Sequence, residues 1–222
     1  MIVVERRSDC WYRYVCQEPC TNSCVRYLEM SELMDTSNIP KAKQIPQSLT
    51  APKCDKDAFI QLAGIKSNIV EFVECGENLY IASRITGNGK TSWAIKLMLK
   101  YFDEIWAGNG FRTRGIFIHV PTFLLKCKDF NNRDEEFEEM KNKLSTVDLV
   151  IWDDIASTDV SAYDYSQLLM YIDNRLFNGL SNIFTGNYDD RASLEKRLGM
   201  KLASRIWSDT TQVVVFKGGD MR

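Results

Sequence analysis

The stretch RITGNGKTS, Arg84 to Ser92, constrains this chain more than any other. An apolar run, Leu79 to Ile81, suits a buried strand and leads into it, and a helical pattern of apolar residues follows it. A strand, a glycine-containing loop and a helix in that order make a cradle for phosphates. Backbone N–H groups left unobstructed by glycine converge there with the positive end of a helix dipole. Against the pattern G-x-x-x-x-G-K-[ST], Gly89, Lys90 and Thr91 match, and Arg84 stands in place of the first glycine. Lys90 is expected at the outer phosphates of a nucleoside triphosphate and Thr91 in the coordination shell of a magnesium ion. Thr86, Gly87, Asn88, Gly89 and Ser92 are expected around the phosphate tail. Arg84 leaves the geometry at the start of the loop open, and a Gly-Asn-Gly turn that happens to precede Lys-Thr would look the same in isolation.

A second anchor lies downstream in VDLVIWDDIAST. Val147 to Trp152 read as a buried strand that ends in two carboxylates, Asp153 and Asp154. In a parallel sheet that tip lies beside the phosphate loop. Asp153 then suits magnesium, and Asp154 suits the orientation or activation of a water. Two acids after a strand can also simply cap the next turn. A further strand in SNIFTGN ends at Asn187, an amide placed to hold that water against the terminal phosphate. LEKRLGMKLASRIW reads as one helix carrying Arg197 and Arg205, which composition alone would leave on a solvated face. His119, the sole histidine, sits in the strand Gly115 to Val120 and reads as a satisfied core or strand-end residue, not a catalytic base. Between that strand and the acidic one lie two helical patterns, Pro121 to Lys128 and one ending near Leu144. A minimal strand–helix–strand unit needs only one.

The 222 residues, 45% apolar and 26% charged, suffice for a full core. With 28 basic and 30 acidic residues the formal charge is -2, so any contact with nucleic acid must come from a local patch. The apolar runs fall short of the roughly 18 residues of a membrane span, and the N-terminus lacks a signal-peptide core, which predicts a cytosolic protein with no membrane partner. Four of the seven cysteines, Cys10, Cys16, Cys20 and Cys24, fall in the spacing C-x5-C-x3-C-x3-C. That set predicts a tetrahedral zinc site, with an iron–sulfur cluster or unligated thiols as the other readings. Trp11, Tyr12, Tyr14 and Tyr27 are too many aromatics for so small a unit to hide, and predict contact with a partner protein. A helix from Val25 to Met34 follows. A run with Pro40, Pro46 and Pro52 then predicts a linker over 36–56, either a solvated tether or a strap over the nucleotide base. Helical spacing resumes from Asp57 to Gly76. The expected divisions are 1–35, 36–56 and 57–222.

With RITGNGKT, VDLVIWDDIAS, FTGN and LASRIW in this order, the chain resembles the AAA+ ATPases of the DnaC/DnaI family of replicative helicase loaders, and in particular their short bacteriophage-type versions. The resemblance covers about residues 36–222. It implies a three-layer α/β P-loop domain with a central parallel five-stranded sheet and no helical lid, preceded by the cysteine-rich, zinc-binding segment in the place of a helicase-binding domain. The cysteines do not follow the usual zinc spacing of the bacterial loaders. Implied with it is a slow ATPase dependent on oligomer or DNA, using ATP or ADP with magnesium. Lys90 and Thr91 would serve as Walker A, Asp153 and Asp154 as Walker B, Asn187 as the sensor, and Arg205 as an arginine finger reaching a neighbouring subunit. The surplus helix after Pro121 resembles the insertion that lines a single-stranded DNA channel, with Lys126 and Lys128 as contacts. The implied partners are a replicative helicase, single-stranded DNA and further copies of the chain, in the bacterial cytoplasm, which is the host's if the protein is phage-encoded. A nucleotide-switched adaptor that does not hydrolyse, and a transposition-helper ATPase with the same motifs, are the rival readings. A small-molecule kinase fits less well, because no arginine-rich lid is evident.

Overall fold

Short runs of apolar residues alternate with amphipathic helices along most of the chain, and the helices cover both faces of one sheet. A computed structural model describes residues 7–18, 20–45, 48–129 and 134–219. The strands are β1 (Asn78–Ala82), β2 (Gly115–His119), β3 (Leu149–Ile155), β4 (Ser181–Gly186) and β5 (Gln212–Val215). The helices are α1 (Val25–Asp35), α2 (Lys56–Ser67), α3 (Ile69–Glu74), α4 (Lys90–Ile105), α5 (Val120–Lys128), α6 (Glu135–Lys143), α7 (Ala162–Phe177), α8 (Arg191–Leu198) and α9 (Met200–Ile206). Every residue of β1 and β4 is buried, as expected for parallel strands sandwiched between helices.

The strand order is β2-β3-β4-β1-β5 with every neighbouring pair parallel. Side chains alternate between the faces with the period of two of a strand. Leu79, Ile81, Leu149, Ile151 and Ile183 face a core shared with α1 to α4. Tyr80, Ile118, Val150, Trp152 and Phe184 face a second core with α5 and α7 to α9. The architecture is the expected three-layer α/β domain on a five-stranded parallel sheet. One detail differs from the sequence reading: the phosphate-loop strand β1 and the acidic strand β3 are not neighbours, because β4 lies between them. The strand ending at Asn187 therefore separates the two anchors of the site.

Two expected helices are each broken. The periodic stretch from Asp57 to Gly76 divides into α2 and α3 at Asn68, and LEKRLGMKLASRIW divides at Gly199, whose φ of 79° is left-handed. The linker is no free tether. Ile39 is buried, the Ser37 carbonyl accepts from Phe117 N–H on the open edge of β2 (2.7 Å), and Gln44 Nε2 donates to Ile39 O (3.0 Å). Asp55, also buried, accepts from the backbone N–H groups of Lys217 (2.7 Å) and Gly218 (3.0 Å) and so pins the chain beyond β5. Met30, Leu33 and Met34 of α1 join the first core together with Tyr12, whose hydroxyl donates to Asp103 on α4 (2.8 Å). Below the sheet, the fully buried Arg175 of α7 donates to Asn182 Oδ1 and to the carbonyls of Leu144, Val147, Asp148 and Ser181. Pro19, Pro46 and the start of the acidic connection, Asn131 to Arg133, lie outside the described residues.

Candidate nucleotide site

The loop between β1 and α4 needs two left-handed residues and has glycine at both: Gly87 has φ 76° and Gly89, which caps α4, has φ 94°. Arg84 is not among the left-handed positions, so the missing first glycine costs no backbone strain. Its guanidinium instead bridges to the loop after β4, with Nε 2.5 Å from Asp189 and Nη2 3.4 Å from Asp190. Lys90 opens α4 and is buried. Its Nζ donates to Ile85 O (3.0 Å) and Asn88 Oδ1 (3.3 Å), and Asn88 donates in turn to Ser83 Oγ. Burial lowers the Lys90 pKa, and the nearby charges of Asp154 and Asp153 act against that shift.

Opposite this loop, β3 carries a bulge. The register steps from Trp152↔Phe184 to Ile155↔Gly186, so β3 has one more residue than β4 over this interval, and Asp154 takes φ 61°. Successive strand residues normally point to opposite faces. The bulge and the left-handed Asp154 let both carboxylates act on Lys90. Thr91 Oγ1 donates to Asp153 Oδ1 at 2.7 Å, which puts the hydroxyl and the carboxylate predicted for magnesium side by side. Burial raises the Asp153 pKa and repulsion from Asp154 adds to it, while hydrogen bonds from Thr185 and Thr91 pull it back. A buried carboxylate held with a hydroxyl, and disfavoured as a bare anion, is a donor set suited to a hard divalent cation. Asn187 Nδ2 lies 3.3 Å from Asp154 Oδ1. Lys90, Thr91, Asp153, Asp154 and Asn187 thus come together at one end of the sheet.

No family model matches the chain, and no curated protein matches it. Solved structures do. The DnaC helicase loader aligns at 21% identity and a TM-score of 0.61, over 77% of this chain and 94% of that one. DnaI aligns at 17% identity and 0.65, over 84% and 95%. The replication initiator DnaA bound to AMPPCP and single-stranded DNA aligns at 13% and 0.58, over 78% and 50%. The chain shares its fold with these solved structures. At these identities the likeness speaks for the fold alone.

On this fold the remaining predicted residues lie further from the phosphate loop's mouth or on the outer helices. Arg205 of α9 is ion-paired to Asp173 of α7, and both stay partly exposed. Lys126 pairs with Asp134 (3.0 Å) and Lys128 with the buried Asp164 (2.7 Å), so both expected DNA contacts already face acids. The first turn of α6 adds Glu135, Glu136 and Glu138 nearby in sequence. His119 is exposed, with Nδ1 2.7 Å from Thr122 Oγ1, as a strand-end histidine should be. Cys10, Cys16, Cys20 and Cys24 are free thiols around one apolar cavity of about 40 Å³. Among the described residues no three Cys, His, Asp or Glu side chains are placed to hold a metal, so the expected zinc site is not formed by the side chains as they stand. Of the four aromatics there, Tyr14 is the exposed one, beside the exposed Val15. No helix among the described residues is long and apolar enough to cross a membrane.

Two residues escaped the sequence reading, and a third, Arg197, was read only as lying on a solvated helix face. Thr185 donates to Asp153 Oδ1 (2.7 Å) and accepts from Asp154 N–H (2.9 Å), so one buried hydroxyl sets both carboxylates. Tyr80 donates to Tyr188 O (2.9 Å), fixing the loop after Asn187, and a Cβ on Gly186 would sit 2.5 Å from its hydroxyl. Arg197 donates to Ala156 O (3.1 Å), tying α8 to the turn after β3. The FTGN glycine was visible as a motif letter. The tyrosine that requires it was not.

Proposed function

We propose that this chain is an ATP-dependent loader that binds a replicative ring helicase and delivers it onto single-stranded DNA as replication begins. The observation that carries the reading is the convergence of Lys90, Thr91 and Asp153 from two non-adjacent strands, with Thr91 and Asp153 in hydrogen-bond contact. Lys90 exchanges its loop acceptors for the oxygens of the phosphate tail. Thr91 and Asp153 hold magnesium, which when bound neutralises phosphate charge. Asp154 and Asn187 hold and orient the attacking water, and Arg205 of a neighbouring copy meets the charge that builds on the leaving phosphates. ADP remains after turnover. The helicase and DNA roles rest on the likeness to the DnaC helicase loader, to DnaI and to DnaA bound to single-stranded DNA. Residues 1–35 are the helicase contact, 36–56 the strap and 57–222 the motor. The four thiols of the first segment are the candidate zinc ligands, and metal analysis of the purified protein tests this, with one zinc per chain expected and no metal overturning it. The protein works in the cytoplasm.

The test is co-purification with a replicative helicase, with and without residues 1–35, alongside phosphate-release assays on DNA. Lys90→Ala should weaken nucleotide binding by tenfold or more, by analogy with loss of a charged contact worth about 1.5–3 kcal/mol. Tight nucleotide binding without phosphate release, in the presence of helicase and DNA, would return the chain to a nucleotide-switched adaptor.

A further inference from the structure

Arginines around this sheet differ in how much of the guanidinium they commit. Arg175, fully buried, donates from Nε, Nη1 and Nη2 to side-chain and backbone oxygens. Arg84 spends Nε and Nη2 on Asp189 and Asp190, and Arg197 spends Nε and Nη1 on Ala156 O and Asp159. A fork engaged on two or more sides fastens one element to another. Arg205 is held differently. Its Nε donates to Asp173 Oδ1 at 2.5 Å, and among the described residues neither Nη makes a hydrogen bond.

Both ends of that bond stand on well-seated helices. Ile172 and Arg175, on either side of Asp173 in α7, are buried, and so are Leu202, Ala203 and Ile206 around Arg205 in α9. The two helices pack on one another. A side chain whose support is locked by packing can aim a flexible partner, and a bond through Nε sets the plane of the guanidinium while leaving its two terminal NH2 groups open. The pair keeps side-chain exposures of 41% for Arg205 and 35% for Asp173, so the open edge is within reach of another molecule. A planar fork with that edge unspent is the arrangement that meets two phosphate oxygens at once.

We propose that Asp173 is a positioning residue, which holds Arg205 by Nε and keeps both Nη groups available to the phosphates of a nucleotide bound to a neighbouring copy. This role rests on the reading of Arg205 as completing a neighbour's site and adds the acid that aims it. Without Asp173 the long side chain spreads over several rotamers, and a misplacement on the order of 1 Å at a reacting group can cost about a hundredfold in rate.

The full chain, Asp173→Ala, Asp173→Asn, Arg205→Ala and Lys90→Ala are compared in phosphate release on single-stranded DNA and in binding of a fluorescent ATP analogue. Asp173→Ala is expected to lose about tenfold or more in kcat while its affinity for the analogue stays within about twofold. Asp173→Asn, whose amide oxygen still accepts from Nε, should recover most of that loss. Mixing shows on which side of the shared site the residue acts. Asp173→Ala mixed with Lys90→Ala should regain a fraction of the turnover, because the first brings an intact phosphate loop and the second an intact Arg205 with its acid. Asp173→Ala mixed with Arg205→Ala should regain none. The proposal falls if Asp173→Ala releases phosphate at or above the parent rate, since the acid is then a bystander or a restraint on Arg205. It falls equally if the amide recovers nothing, which removes the bond to Nε as the cause. A drop in nucleotide affinity alongside kcat, or no rescue by Lys90→Ala, also overturns it, because the damage then lies within the altered copy. An inactive Arg205→Ala beside an active Asp173→Ala defeats this proposal alone. A fully active Arg205→Ala, or a parent chain that releases no phosphate, defeats the shared site on which it depends.

Discussion

Asp153 is held ready for a cation at a measurable cost to the protein without one. Burial and the neighbouring Asp154 raise its pKa above the ordinary aspartate value of 3.8. The folded chain therefore binds this proton more readily than the unfolded chain. Stability from this group is greatest at low pH and falls as pH rises from about 3.8 through the raised pKa. Asp153→Asn keeps an oxygen for Thr91 and Thr185 and removes the buried charge. Above that window the variant should melt about 2–4 °C higher, equivalent to about 1 kcal/mol, and the difference should vanish at pH 4. Magnesium should cease to strengthen its ATP binding. Thermal unfolding at pH 7.5 and pH 4 checks the first claim, and an unchanged midpoint at pH 7.5 contradicts it. The residues that make this site were legible where spacing encodes chemistry, as with Lys90, Thr91, Asp153 and Asn187. Thr185 was not, because a threonine inside an apolar run reads as an ordinary strand former. Arg84 stood out as a mismatch, yet Asp189 lies 105 positions away and no local pattern points to it.

Among the elements, the linker departs furthest from one of its two expected forms. Three prolines announce an extended path but say nothing of where it lies. The structure places Lys43 and Ile45 against the same cleft as Ser92, and Asp55 against the chain after β5. Charge-assisted bonds from the half-buried N–H of Lys217 and the buried N–H of Gly218 should make Asp55→Ala cost about 2–3 kcal/mol in urea unfolding. Gly218→Ala should cost a similar amount, because its Cβ would come within 2.5 Å of the Asp55 carboxylate. A loss below about 0.5 kcal/mol for both, the size of an ordinary surface change, would show the strap to be loosely attached. The break at Gly199 was hidden for a different reason: leucines and alanines keep helical spacing on both sides of it. Periodicity reports which residues face inward and is silent about a left-handed turn between two short helices.

Across the whole molecule, the three-layer parallel sheet was legible through the resemblance that the four motifs carry in order, and β3 through its apolar run. The intervening position of β4 was not readable, since strand order is a long-range choice that no window of sequence contains. Arg205 belongs to this scale too. If it completes a neighbour's site, Arg205→Ala should keep nucleotide affinity within about twofold and lose phosphate release. Mixing it with Lys90→Ala, which cannot bind nucleotide but presents an intact Arg205, should restore a fraction of the turnover. Equal activity for Arg205→Ala and the parent chain would end the idea of a shared site.

Asp190 serves two partners at once: one carboxylate oxygen meets Arg84 and the other accepts from Ser193 N–H to cap α8. α8 packs in turn on α9, which bears Arg205. The residue standing where a glycine was expected is thereby geared to the arm that carries the arginine. Outward movement of the phosphate-loop lip would break a contact to the same carboxylate that caps α8.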